Sequence, residues 1–146
     1  MAPNTKSQPT QASATWTGGE RFDSNGSSGH VVPFDADRAT NQAPGPMEMV
    51  LRSLCACSAT DLVIVLGKKR QPVAGIRVSA EAERASEPPQ VYTKIHMRYE
   101  VSGKGVDREA VQRAVDLSQG KYCSVFAMLR RSATTSYEIV MVEAAP

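Results

Sequence analysis

Three cysteines, Cys55, Cys57 and Cys123, are the residues of this 146-residue chain whose chemistry stands out. An odd and small number makes no disulfide framework in a chain of this length. Three roles remain in a reducing compartment: packed core thiols, metal ligands or redox groups. Zinc has little to hold it, because Cys-x-Cys plus one distant Cys lacks the ligand spacings of structural sites. His30 and His96 stand apart from each other and from every cysteine. No metal or cofactor is expected. No phosphate loop occurs either, since neither GxxxxGKS/T nor GxGxxG is present.

Spacing separates the first two thiols. Cys55 and Cys57 fall in a helical pattern from Met47 to about Lys69, where two residues turn the side chain by about 200°. They cannot bridge without unwinding the helix, so one at most faces any given pocket. Cys57 shares a face with Val50, Leu54, Asp61 and Ile64, and Cys55 groups with Leu51 and Leu62. Cys123 falls at the start of a short helix expected over Ser124–Arg131, just after Lys121. A helix N-terminus and a neighbouring ammonium both favour a thiolate. Spacing alone leaves redox chemistry and buried core thiols both open.

The elements that must position these residues follow from periodicity. Residues 1–14 are polar, without a period, and read as a disordered N-terminal tail; a single domain is expected over 15–146. Two β stretches, Thr15–Phe22 and His30–Phe34, flank the turn cluster Ser24–Gly29. Ala43-Pro44-Gly45-Pro46 breaks the chain before a helix that is apolar nearly all round, and such a helix is expected to be buried at the centre. Lys68, Lys69 and Arg70 suit the negative end of its dipole better than a nucleic-acid patch. Ile76, Val78, Ala80 and Ala82, then Val91, Thr93, Ile95, Met97, Tyr99 and Val101, alternate with polar residues and mark two long strands. A second helix starts at the N-cap Asp107 and stops near Gly120, and Tyr137–Val142 is the last strand. The fold class is α+β with mainly antiparallel sheets and a long buried central helix.

Composition bounds the partners. The hydrophobic share is 41%, and 17 basic against 15 acidic residues leave a net charge of +2. That is an ordinary globular balance with no strong pull toward nucleic acid or anionic lipid. No uninterrupted apolar run approaches the length of a membrane span, and Met1–Ala14 lacks an apolar signal core, so a soluble cytoplasmic protein is expected. The long strands and the apolar helix carry more apolar surface than one small subunit covers well, which points to a homodimer.

The residues around the thiols resemble a known family. Gly45-Pro46-Met47-Glu48-Met49-Val50-Leu51 and Leu54-Cys55-Ala56-Cys57-Ser58-Ala59-Thr60-Asp61 are similar to the central helix of the OsmC/Ohr family of thiol-dependent hydroperoxide reductases. Lys121-Tyr122-Cys123-Ser124-Val125 resembles that family's second cysteine motif, 66 residues on. The resemblance runs from about Thr15 to Val142. It implies an OsmC-like fold, an intertwined homodimer, and a Cys57 that reduces organic hydroperoxides through a sulfenic acid. Cys123 then closes a Cys57–Cys123 disulfide, whose Cα atoms must lie within about 7 Å, and a dithiol reductant of lipoyl type reopens it. Cys55 stands where the family carries a small residue, and is expected to be one more buried side chain.

Family members also hold the reactive thiolate with an arginine and a glutamate. Glu48 is the candidate glutamate, although one branch of the family carries it directly after the proline, where this chain has Met47. It either serves the site or completes the first helical turn. Arg21, in Thr17-Gly18-Gly19-Glu20-Arg21-Phe22, lies one place from the family's arginine, and Arg38 competes with it. An organic hydroperoxide reductase is therefore the leading expectation. A redox-sensing or ligand-binding OsmC-like module with little turnover, or a structural homodimer with buried cysteines, are the rivals.

Overall fold

The computed structural model describes residues 8–143, which group into two compact units divided between Val50 and Leu51. The first unit is built on three antiparallel strands in the order β1 (Ala12–Gly18), β2 (Arg21–Gly26), β3 (Val32–Asp35). Strand β1 begins inside the segment read as a tail; residues 1–7 of that segment lie outside the described residues. Thr15–Phe22 is also not one strand but two halves of a hairpin. Gly18 and Gly19 turn it with φ of 128° and 55°, backbone that side chains resist, and the Trp16 indole N–H donates to the Gly19 carbonyl at 2.9 Å. Ser24, Asn25 and Gly26, read as turn residues, instead extend β2.

Asp35 ends β3 and organises the loop that follows. Its carboxylate is buried and accepts the Thr40 hydroxyl at 2.6 Å and the backbone N–H groups of Asp37 and Gln42, both at 2.9 Å. The Thr40 hydroxyl above all, then the Gln42 and Asp37 N–H groups and the Arg21 charge, hold its pKa below the ordinary 3.8 against the opposing effect of burial. A carboxylate with a depressed folded-state pKa contributes stability that is present above the unfolded value and lost as pH falls through the folded one. Asp35→Asn should therefore unfold more easily than the wild type near neutral pH, with the gap in thermal midpoints closing below a pH of about 3.8. Melting curves across that range check this; a gap that stays constant would refute it.

Helix α1 (Pro46–Lys68) starts in the first unit and runs on into the second. Glu48 in its first turn and Lys68 in its last both complement the helix dipole. Burial is confined to a stripe, Leu54, Ser58, Leu62, Val65 and Leu66, while Val63 and Ile64 are 59% and 49% exposed. The all-round burial expected of α1 is thus met on one side only within a single chain. By length and composition α1 could also cross a membrane, a test that the core helix of a soluble protein passes too.

The rest of the second unit is a sheet in the order β4-β5-β6, with helices in the connection between its last two strands. Strands β4 (Gly75–Arg84) and β5 (Tyr92–Ser102) pair antiparallel, with Val78 opposite Tyr99 and Ala80 opposite Met97. From Ile95 onward β5 keeps the period of two, with Ile95, Met97, Tyr99 and Val101 buried and His96 and Arg98 exposed; at its start the expected phase is reversed, Val91 being 42% exposed and Tyr92 buried. Strand β6 (Thr134–Val142) lies parallel to β5. A parallel neighbour needs a crossover, and α2 (Arg108–Leu117), a π-helical turn (Ser118–Tyr122) and α3 (Ser124–Leu129) supply it. The Asp107 carboxylate caps α2 by accepting the Glu109 N–H at 3.0 Å. Gly120, expected to stop that helix, instead sits within the π turn. Three of the four strand pairings are antiparallel, and the fold is α+β.

Candidate active site

The crossover delivers Cys123 to α1. Cys123 is the N-cap of α3 and 2% exposed, its sulfur accepting the Phe126 N–H at 3.3 Å. Its own N–H donates to the Ser118 carbonyl at 2.9 Å, the bond that closes the π turn. The Ser118 hydroxyl donates to Asp61 Oδ2 at 2.9 Å, tying that turn to α1. One turn back along α1, the Ser58 hydroxyl lies 3.5 Å from Cys123 Sγ. Cys57 also neighbours Cys123, near enough to oppose its ionisation. Two thiols 66 residues apart thus share one site.

The electrostatics of Cys123 run against the expectation of a ready thiolate. Its pKa is raised above the ordinary 9.0, first by burial and also by Cys57, while the Ser58 hydroxyl and the Phe126 N–H pull the other way. The Lys121 ammonium lies over the Tyr122 ring, 5.3 Å from its centre. Desolvation therefore outweighs a six-residue helix end.

Cys55 is not part of the pair. Half-buried, it has a pKa raised by burial and partly offset by the Arg77 charge on β4, which matches the divergence of side chains two apart on a helix. Arg21, Arg38 and Glu48 belong to the first unit. The exposed Arg21 pairs with Asp35 across β2 and β3, and its guanidinium passes over Gly18. The Arg38 guanidinium lies over Gly45, just ahead of α1. Among the described residues, no group of three or more His, Cys, Asp or Glu side chains is arranged to hold a metal ion.

Sequence reasoning missed the polar groups behind the thiols. Ser58, 1% exposed, touches Tyr99 as well as Cys123. The Tyr99 hydroxyl accepts the Gln119 amide at 3.0 Å, and burial pushes its pKa up to about 12. Tyr99 reads as an apolar position of β5, which its ring is: it stacks edge-on with Tyr137 at 5.9 Å. A signal for the rest existed in Ser58 and Asp61, polar residues three apart on the same side of α1 as the apolar Leu54, Leu62 and Val65.

Comparison with known proteins places this geometry. A profile of OsmC-like proteins matches residues 39–138. The chain belongs to the OsmC-like family. Protein YhfA of Escherichia coli K12 is 42% identical over 132 residues, spanning 89% of this chain and 98% of that protein. A hypothetical protein from Aquifex aeolicus VF5 superposes with a TM-score of 0.85 at 29% identity, over 95% of this chain and all of its own. The organic hydroperoxide resistance protein OhrB of Bacillus subtilis shares the OsmC-like fold at a TM-score of 0.64 and 15% identity, over 90% and 98% of the two chains.

Proposed function

We propose that this OsmC-like protein is a thiol-dependent peroxidase that reduces organic hydroperoxides, with Cys57 as the attacking thiol and Cys123 as the resolving one. The observation that carries the reading is the meeting of Cys57 and Cys123 across 66 residues of chain, beside a buried hydroxyl. The Cys57 sulfur takes the terminal oxygen of the peroxide and becomes a sulfenic acid as an alcohol leaves. Cys123 then displaces that oxygen as water and forms a disulfide, which a dithiol reductant of lipoyl type reopens. Arg21 and Glu48 are the proposed groups that hold the thiolate, and the proposed state is a cytoplasmic homodimer.

An apolar tail has somewhere to go. An open cleft of about 560 Å³ is lined by Asp61, one turn beyond Cys57 on α1, by Ile64, Val65, Leu117 and Tyr122, and by Lys68 and Lys69. Burial of a hydrocarbon tail there supplies binding energy that hydrogen peroxide cannot. The raised pKa of Cys123 supports a second reading, a redox-sensing module in which resolution is slow. Stopped-flow consumption of cumene hydroperoxide and of hydrogen peroxide, each with dihydrolipoamide and with monothiols, separates the two. The peroxidase should turn over the organic peroxide faster than hydrogen peroxide, and only the dithiol should sustain it. Stoichiometric oxidation without turnover would favour the sensor, and no oxidation at all would end both.

A further inference from the structure

Resting on the peroxidase reading, we infer that Ser58 is a catalytic residue of the resolving step, passing the Cys123 thiol proton to the oxygen that leaves Cys57. Its hydroxyl is 3.5 Å from Cys123 Sγ, in a contact where either atom can donate. Cys57, the preceding residue on α1, neighbours the same sulfur and opposes its ionisation. A sulfenic oxygen on Cys57 is therefore formed beside the hydroxyl that already touches Cys123.

The chemistry of the step needs such a group. Cys123 is 2% exposed, and burial and Cys57 both favour its protonated form, so it enters the step as a thiol. As its sulfur attacks the Cys57 sulfur, the S–H proton moves to Ser58 Oγ and the Ser58 proton moves to the sulfenic oxygen. The S–O bond breaks, its electron pair leaves with that oxygen, and the products are one disulfide and one water. The peroxide has already supplied the oxidising equivalent, so no further oxidant is required. Ser58 is itself 1% exposed and neighbours the Tyr99 hydroxyl, which accepts the Gln119 amide at 3.0 Å, so the proton passes in a site closed to solvent. The other titratable groups that face Cys123 are Cys57 on α1 and Tyr99 on β5.

The test separates the two chemical steps in the full chain. Reduced protein is mixed with one equivalent of cumene hydroperoxide, quenched at intervals, and assayed by mass spectrometry for dimedone-trapped Cys57 and for the Cys57–Cys123 disulfide. Ser58→Ala should form sulfenic acid at close to the wild-type rate yet close the disulfide at least about tenfold more slowly, the low end for loss of a positioned proton-transfer group. Its disulfide rate should also climb with pH as solvent hydroxide replaces the hydroxyl. Ser58→Thr, which keeps the hydroxyl, should recover most of the rate. Disulfide closure at the wild-type rate in Ser58→Ala, or an equal slowing of both steps, would overturn the role while leaving the peroxidase reading standing. A wild-type chain that forms no sulfenic acid would overturn both.

Discussion

Cys57→Ser is expected to abolish hydroperoxide consumption, a loss of roughly three orders of magnitude or more, because no other group supplies the attacking sulfur. Cys55 cannot replace it: it turns away from the pair, and burial raises its pKa. Cys55→Ser should accordingly keep its activity. Cys123→Ser should behave differently from both. Its first peroxide equivalent should be consumed normally, after which a sulfenic acid accumulates on Cys57 and dithiol-supported turnover fails. Peptide mapping of the wild type after one equivalent should find the Cys57–Cys123 bridge within one chain and Cys55 free. A bridge containing Cys55, or full activity in Cys57→Ser, would remove the proposed mechanism.

How much of this was legible depends on how local the signal is. The alternation of Ile95, Met97, Tyr99 and Val101 is a property of the strand itself and burial follows it, whereas at the strand's start the phase is reversed, with Val91 exposed and Tyr92 buried. The Asp107 cap and the start of α3 at Cys123 are equally local and stand where sequence puts them. Pairing direction is not local. Nothing within Thr134–Val142 says that it will lie parallel to β5, because that follows from the long connection before it. The turn at Gly18-Gly19 is legible as a glycine pair, the residue type that takes positive φ, although the β-forming residues on both sides of it read as one strand. The two motif cysteines could be paired only through family resemblance, since loop closure over 66 residues leaves no trace in spacing. The ionisation of Cys123 shows the limit most clearly. Helix end and lysine argued for a thiolate, and burial, which a motif does not display, decided for the thiol.

The same separation between motif and surroundings makes Asp61 the second residue of large expected effect. Its carboxylate accepts the Ser118 hydroxyl at 2.9 Å, and Ser118 is fully buried. Through the Ser118 carbonyl and the Cys123 N–H, that turn is the backbone support of the resolving thiol. Asp61→Ala takes away a charge-assisted bond and strands a buried hydroxyl, at a cost of about 1.5–3 kcal/mol in folding free energy. The loss should not stop at stability. A π turn released from α1 holds Cys123 less firmly against Cys57, and a thiol out of register loses the proximity that makes resolution fast. Urea unfolding of the reduced protein should therefore show an earlier midpoint, and disulfide closure should slow while peroxide attack at Cys57 does not. Asp61→Asn, which retains an acceptor oxygen, should recover most of both. If Asp61→Ala unfolds at the wild-type midpoint and closes its disulfide at the wild-type rate, the Asp61–Ser118 bond does not position Cys123, and Ser58 and Cys57 must hold it unaided.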